Sequence, residues 1–267
     1  MKQVFHPALR INGLCSLCSV LPAMASFPVL LFLAAVLHSS FPEYGDENQD
    51  LNGLLTSRAE VQKEIINKHN ELRKSVSPTA SNMLKMEWSE DAAANAQNWA
   101  NGCHYRHSSP GDRTTNTSCG ENLFMSTHPV SWSKVIQTWY DENKDFIYGV
   151  GKTTPFAVVG HYTQVVWYSS FRVGCGFALC TNEMLKHFMV CQYCPAGNHL
   201  NRIYTPYDKG EPCGSCPGHC DDRLCTNGCD FEDGFANCGD LKNALTCENA
   251  QINDSCKASC NCQNKIY

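Results

Sequence analysis

The pattern of hydrophobic and polar positions predicts helices in the first half of the chain. From 57 to 76, apolar residues recur every three to four positions, which is the spacing of an amphipathic helix. Ser57-Arg-Ala-Glu60 opens this segment with the form of a capping box. A second helix is predicted from Ser89 to about Gly102 and a third from about Ser131, because serine commonly caps helix N-termini.

After Pro155 the pattern changes to short segments rich in β-branched and aromatic residues. Such segments are typical of strands, and we predict strands over Tyr162–Tyr168, Val173–Cys180 and Lys186–Tyr193. Helices followed by strands indicate an α+β domain in which the helices pack against a sheet.

An apolar run, Phe27–Leu37, lies near the N-terminus. Its length is typical of a secretory signal and is too short for a membrane span, which needs about 20 residues. We interpret residues 1–41 as an N-terminal extension and signal peptide. We therefore expect the remaining chain to be secreted, without a transmembrane segment.

Cysteine content points to the same compartment. The chain of 267 residues has 18 cysteines, a number that favours an oxidising environment. Removing Cys15 and Cys18 with the signal peptide leaves 16, an even number that allows every cysteine to pair. Six lie between Cys103 and Cys194 and ten between Cys213 and Cys262, so a domain boundary is predicted near residue 200. Spacing alone leaves the connectivity open.

Charge excludes one class of partner. Without Lys2 and Arg10 the chain has 19 basic and 26 acidic residues, which gives −7. Binding to nucleic acid requires clusters of Lys and Arg, so we expect no nucleic-acid partner.

Four polar residues are candidates for chemistry: His107, Glu121, Glu142 and His161. Two imidazoles and two carboxylates suit a divalent metal, with His as ligand and Glu as its orienting partner. A hydrogen-bonded polar cluster in the core is the alternative. The sequence has neither a G-x-S-x-G elbow nor an HExxH motif, and paired cysteines leave no thiol nucleophile, so we expect no enzymatic activity.

Two further features concern modification and metal binding. Asn116-Thr-Ser118 and Asn253-Asp-Ser255 are candidate N-glycosylation sites. Cys213-x-x-Cys216 has the spacing of a zinc half-site, but ten cysteines in a secreted tail favour disulfides.

Two long motifs resemble the signatures of the CAP superfamily, which includes cysteine-rich secretory proteins, antigen 5 and pathogenesis-related proteins. They are Gly160-His-Tyr-Thr-Gln-Val-Val-Trp167 and Phe188-Met-Val-Cys-Gln-Tyr-Cys-Pro-Ala-Gly-Asn198. His69-Asn70-Glu-Leu-Arg73 and Cys119-Gly-Glu-Asn122 are further landmarks. The resemblance implies an α–β–α sandwich, the CAP domain, over 60–205. The tail resembles a cysteine-rich hinge over 206–228 and an ShK-toxin-like module over 229–262.

The resemblance also implies a cleft lined by Glu121 and Glu142, in which His107 and His161 bind Zn²⁺ weakly and without catalysis. It implies eight disulfides, which are Cys103–Cys180, Cys119–Cys194, Cys175–Cys191, Cys213–Cys220, Cys216–Cys225, Cys229–Cys262, Cys238–Cys256 and Cys247–Cys260.

The function that the resemblance implies is that of a secreted, non-enzymatic protein of innate defence or reproduction. Its expected partners are secreted or plasma proteins or ion channels, and storage in secretory granules is expected. A sterol or lipid carrier is the alternative, with the aromatic stretch from Phe146 to Phe156 as the candidate loop; a metal-dependent hydrolase is less favoured. From Cys213 onward there are four basic and eight acidic residues, which disfavours direct plugging of a cation pore.

Overall fold

The centre of the protein is a sheet of four strands, β1 (Glu87–Trp88), β2 (Gly120–Ser126), β5 (Arg172–Leu179) and β6 (His187–Cys194). The strand order is β1-β5-β6-β2, with β1 parallel to β5 and the other pairs antiparallel. A computed structural model describes residues 51–267, so the expected N-terminal extension and signal peptide lie outside the described residues. Within residues 51–267, no helix has both the length and the apolarity needed to cross a membrane.

Helices cover both faces of this sheet. They are α1 (Ala59–Lys74), α2 (Glu90–Asn101), α3 (Trp132–Tyr140) and α4 (Gly160–Val165). Two 3₁₀ helices, Pro110–Arg113 and Asp141–Asp145, and a hairpin of β3 (Phe146–Ile147) and β4 (Gly151–Lys152) complete the large domain. The tail contains β7 (Cys220–Asp221), β8 (Leu224–Cys225), α5 (Cys238–Leu245), α6 (Ala250–Ser255) and α7 (Lys257–Asn261).

Alternation along the strands divides the core into two layers. On β5 and β6, Val173, Phe177 and Met189 face the larger layer, which is shared with α1, α3 and α4. Phe188 and Val190 face the smaller layer on the side of α2. Residues two apart on a strand share a face, so each central strand buries both its faces. The expected α–β–α sandwich is therefore confirmed.

Two glycines of β5 bring α2 close to the sheet. A Cβ atom at Gly174 would lie 2.1 Å from the backbone nitrogen of Ala93, and one at Gly176 would lie 2.4 Å from Cα of Gln97. The helix backbone thus packs directly on the strand. The side-chain amide of Gln97 donates a hydrogen bond to the C=O of Phe177 and accepts one from its N–H. This side chain satisfies backbone groups of β5 that have no strand partner there.

The N-termini of the helices only partly follow the predicted caps. Ser89 caps α2 through a hydrogen bond from the backbone N–H of Ala92, and Ser131 caps α3 in the same way. The capping box predicted at the start of α1 is wrong, because the N-cap is Arg58 and no side chain caps the helix. Glu60 instead accepts a hydrogen bond from Nε of Arg58 at 2.6 Å.

The predicted strand over 162–168 is also wrong. The segment forms the short helix α4. Tyr162, Val165 and Val166 are at most 3% exposed, and their spacing places them on one helix face toward the core. Burial on that face outweighs the β propensity of the aromatic and branched side chains.

The hinge is part of the large domain's packing, although the cysteine density changes near residue 200. Leu224 is 1% exposed and belongs to the larger core layer. The backbone N–H of Cys225 donates to the backbone oxygen of Met83, and the N–H of Lys85 donates to the backbone oxygen of Cys225, at 2.8 Å each. These contacts join the hinge to the residues that precede β1.

Candidate functional site

The first candidate pair is His107 with Glu121. Glu121 is the second residue of β2, and its side chain is 1% exposed, whereas that of His107 is 59% exposed. Nδ1 of His107 lies 2.9 Å from Oε1 of Glu121. The backbone N–H and the hydroxyl of Ser108 donate to the same carboxylate at 2.9 and 2.7 Å, and Nε2 of Gln192 donates at 3.3 Å.

Two opposing effects act on the Glu121 carboxyl. Burial raises its pKa, whereas the hydrogen bonds from His107, Ser108 and Gln192 lower it, and the net shift is downward. The carboxylate is therefore ionised at neutral pH and accepts hydrogen bonds only. In the neutral ring of His107, the proton is then on Nδ1 and the lone pair on Nε2.

The second pair, His161 with Glu142, is built from a different part of the fold. Glu142 lies in the 3₁₀ helix after α3, and His161 lies in the first turn of α4. Nδ1 of His161 is 2.6 Å from Oε1 of Glu142. The backbone N–H groups of His161 and Tyr162 donate to Oε2 at 2.9 and 3.1 Å, so this carboxylate also caps α4. The Trp139 ring stacks on His161 with centroids 6.4 Å apart.

The structure thus builds two His–Glu pairs rather than one cluster of four. Among residues 51–267, no three of the four site residues place their ligand atoms within 4.8 Å of one another. The pairs are connected through β2, since Asn122, next to Glu121, donates to the backbone oxygen of His161 at 3.1 Å.

Buried hydrogen bonds connect Asn122 to α1 through Tyr193 and His69. Nδ1 of His69 donates to the backbone oxygen of Ile65 at 2.8 Å, and its Nε2 is 2.9 Å from the Tyr193 hydroxyl. Asn122 reaches the same hydroxyl at 3.5 Å. Burial lowers the pKa of His69 to about 4, so the ring is neutral and accepts from Tyr193.

Arg73 has a structural role in the same region. Its guanidinium is buried and donates to the backbone oxygens of Leu84, Val165, Trp167 and Tyr168, at 2.6 to 3.1 Å. It therefore ties α1 to the segment that follows α4. The landmark from His69 to Arg73 therefore belongs to the buried scaffold of the domain.

Sequence reasoning missed the residues that hold Glu121. Ser108 follows His107 in a loop, where a serine is ordinarily solvated, yet it is 4% exposed and donates two hydrogen bonds. Gln192 lies directly opposite Glu121 in the β2–β6 register. An inward-facing glutamine within an otherwise apolar strand was the signal that could have found it.

All 16 cysteines of residues 51–267 are paired in the structure, in the eight pairs that the resemblance implied. The thiol groups of Cys213 and Cys216 are thus used in disulfides with Cys220 and Cys225.

Comparison with known proteins identifies the class. The model of the cysteine-rich secretory protein family, CAP, matches residues 66–193, and the Crisp model matches residues 213–267. The chain belongs to the cysteine-rich secretory protein family.

Within that family, the chain is 62% identical to human cysteine-rich secretory protein 3 and 58% identical to human cysteine-rich secretory protein 2. Each alignment covers 91% of this chain and all of the relative. The family indicated by the sequence motifs is therefore confirmed, and the chain resembles the third mammalian paralogue.

Solved structures share the fold of the large domain. The crystal structure of NaASP2 with Zn²⁺ is 32% identical, with a TM-score of 0.53, and covers 63% of this chain and 96% of that one. The structure of Na-ASP-1 is 31% identical, with a TM-score of 0.54, and the match covers 62% of this chain and 47% of that chain.

Proposed function

We propose that this protein is a secreted, non-enzymatic binding protein whose cleft holds Zn²⁺ through Nε2 of His107 and His161. The observation that carries the proposal is that each histidine presents Nδ1 to a glutamate carboxylate. This carboxylate–histidine arrangement orients the ring, increases its basicity and leaves Nε2 for the metal. The relative NaASP2, whose structure was solved with Zn²⁺, supports it as well.

The donor set suits a weak and open site. Glu121 and Glu142 are engaged with their own histidines and with backbone or hydroxyl donors. Two nitrogen ligands are fewer than the three or four of strong zinc sites, so water would complete the coordination. When bound, the ion supplies a positive charge at the cleft surface, where a ligand with acidic groups can be held.

Titration calorimetry with ZnCl₂ tests the site. His107→Ala/His161→Ala should abolish binding, while His128→Ala, at an exposed histidine outside both pairs, should bind like the wild type. Affinity should fall as the pH drops from about 7.5 to about 5.5, since only neutral histidine binds metal. Equal affinity in the double variant would contradict the proposal, and so would the absence of any binding to the wild type.

We also propose that the protein has no enzymatic activity, because the groups that could act as nucleophiles are occupied by other contacts. The Ser108 hydroxyl donates to Glu121 and not to a histidine, so no Ser–His pair forms there. The cysteines of the described residues are all in disulfides, which leaves no thiolate. A zinc-dependent turnover of ester or peptide substrates by the purified protein would contradict it.

We further propose that its partners are secreted or plasma proteins or ion channels, in a role in defence or reproduction, with storage in secretory granules. Direct pore plugging is disfavoured by the acidic balance of the tail, which has four basic and eight acidic residues from Cys213 onward, and by the contacts of two of its lysines. Lys242 donates to the backbone oxygen of Ser259 at 2.6 Å, and Lys257 pairs with Asp254 at 3.2 Å. A free lysine at the tip of the module is what a pore blocker requires. Voltage-clamp recordings in which block depends on Lys242 would contradict this reading.

Lipid binding is the second candidate, favoured by one observation. Between β3 and α4, Val150, Phe156 and Val158 are 67%, 94% and 59% exposed. Large apolar side chains exposed close together in a chain segment commonly mark an interaction surface. The other aromatic residues of the stretch are used internally, since Phe146 packs on Tyr162 and Tyr148 donates to the backbone oxygen of Tyr207 at 2.6 Å. Mass spectrometry of a lipid extract from the native protein separates the two functions.

The sequons support modification of the secreted chain. Asn116 and Asn253 are both exposed, so a glycan at either meets no packing conflict. We propose glycosylation at both asparagines. Glycosidase treatment followed by peptide mass spectrometry should show conversion of each modified Asn to Asp.

A further inference from the structure

The hinge exposes one of the eight disulfides to solvent. Cys220 is the one exposed cysteine among residues 51–267, and its partner Cys213 is half-buried. Their bond joins residues only 7 positions apart, which is the shortest separation of the eight. A short loop restricts the unfolded chain least, so this bond gains less from chain entropy than the other seven.

The second disulfide of the hinge lies beside the first. Sγ atoms of Cys213, Cys216 and Cys225 all lie within 4.8 Å of one another. Cys216 and Cys225 are 1% and 0% exposed and pack with Leu84 and Phe171. A solvent thiol therefore has much less access to the Cys216–Cys225 bond than the sulfur of Cys213, which already lies next to it.

The backbone around these bonds is held in an unfavourable conformation. Cys213 has φ 64°, and the turn between β7 and β8 places Asp222 and Arg223 at φ 48° and 71°. Residues with a Cβ atom pay a steric cost in this left-handed region. The exposed bond is therefore attached at one end to a residue in an unfavourable backbone conformation.

We propose that the Cys213–Cys220 disulfide is an exchange site for low-molecular-weight thiols of the glutathione class, with Cys216–Cys225 as its internal acceptor. The thiolate attacks Sγ of Cys220, a mixed disulfide forms there, and Cys213 leaves as a thiolate. That thiolate takes up a proton or attacks Sγ of Cys216 or Cys225. In the second case a new Cys213 disulfide forms and the other sulfur leaves as a thiolate. Each exchange breaks one S–S bond and forms one, so no oxidant is needed.

The site is tested on the intact, folded protein. Reduced glutathione is added without denaturant, samples are quenched with acid and alkylated, and peptides are mapped without reduction. The glutathione adduct should form at Cys220 about ten times faster than at any other cysteine. Cys247–Cys260 is the matched comparison, because both its sulfurs belong to half-buried residues. Equal rates at the two disulfides, or a first adduct elsewhere, would overturn the proposal.

The internal acceptor is tested with paired variants. Removal of the exposed bond in Cys213→Ser/Cys220→Ser should slow the opening of Cys216–Cys225 about tenfold, because no neighbouring thiolate attacks it. Cys247→Ser/Cys260→Ser is the control and should leave that rate unchanged. An unchanged rate in the hinge variant would overturn the acceptor role. The wild-type kinetics decide the exchange site even if a variant fails to fold.

Discussion

His69 makes the stability of the fold depend on pH in a defined window. Its ring is fully buried, donates from Nδ1 to Ile65 and accepts at Nε2 from Tyr193. Its pKa is lowered to about 4: burial is the main cause, the hydrogen bond to Ile65 opposes the shift, and the positive charge of the nearby Arg73 adds to it. In the unfolded chain the same ring has a pKa of about 6.5.

The sign and size of the effect follow from these two values. As the pH falls, the ring takes up its proton in the unfolded chain before it does so in the folded protein. The contribution of His69 to the free energy of unfolding is therefore fully present above about pH 6.5 and is lost as the pH drops toward 4. The full difference corresponds to about 3 kcal/mol, and the linkage relation gives a loss of about 2 kcal/mol at pH 5. Because the ring is buried, solvent screening does not reduce this figure.

Denaturant unfolding with the disulfides intact, followed by tryptophan fluorescence between pH 7.5 and 5, measures the loss. His69→Gln cannot take up the proton, so its stability should be lower throughout but should lack this pH dependence. His128→Gln, at an exposed histidine, should keep the wild-type slope. If wild type and His69→Gln lose the same free energy of unfolding over this range, the assignment to His69 is refuted.

Three further predictions concern packing and the disulfides. Gly176→Ala should lower the free energy of unfolding by about 3 kcal/mol, because its Cβ would meet the α2 backbone, whereas Gly239→Ala, with nothing within 4 Å, should change it by under about 0.5 kcal/mol. Leu224→Ala should lower the free energy of unfolding by about 2–5 kcal/mol and should speed proteolysis between residues 201 and 211, because it removes a buried side chain. Leu245→Ala, at an exposed leucine, is the control, and equal proteolysis of the two variants would argue against docking of the hinge on the large domain. Alkylation of the denatured, unreduced protein should add nothing, and a stoichiometric adduct at any cysteine from Cys103 onward would contradict complete pairing.

The sequence by itself determined the elements whose signals are local. The helical spacing of 57–76 predicted α1, whose bounds proved to be Ala59–Lys74, and the caps at Ser89 and Ser131 placed the starts of α2 and α3. The strands at 173–180 and 186–193 came within one residue of β5 and β6. These segments bury faces whose periodicity matches their secondary structure, so pattern and structure agree.

The tertiary structure decided the elements that depend on distant partners. The segment after Gly160 has the composition of a strand, yet it forms a helix whose apolar face is buried in the core and whose first N–H groups donate to Glu142 of another element. Likewise, the sequence named Glu121 as a candidate, but only the β2–β6 register brought Gln192 against it. Interactions between residues far apart in sequence leave no periodic trace that could reveal them beforehand.

The tail shows the same division. Its cysteine density indicated a small module stapled by disulfides, since a segment of that size cannot bury a large core. What the density did not reveal is that Asp221 and Asp222 pair with Lys85 and Lys74 of the large domain, and that Leu224 enters its core. The number of disulfides is a property of the sequence, whereas the docking of the hinge depends on surfaces that exist only once both parts have folded.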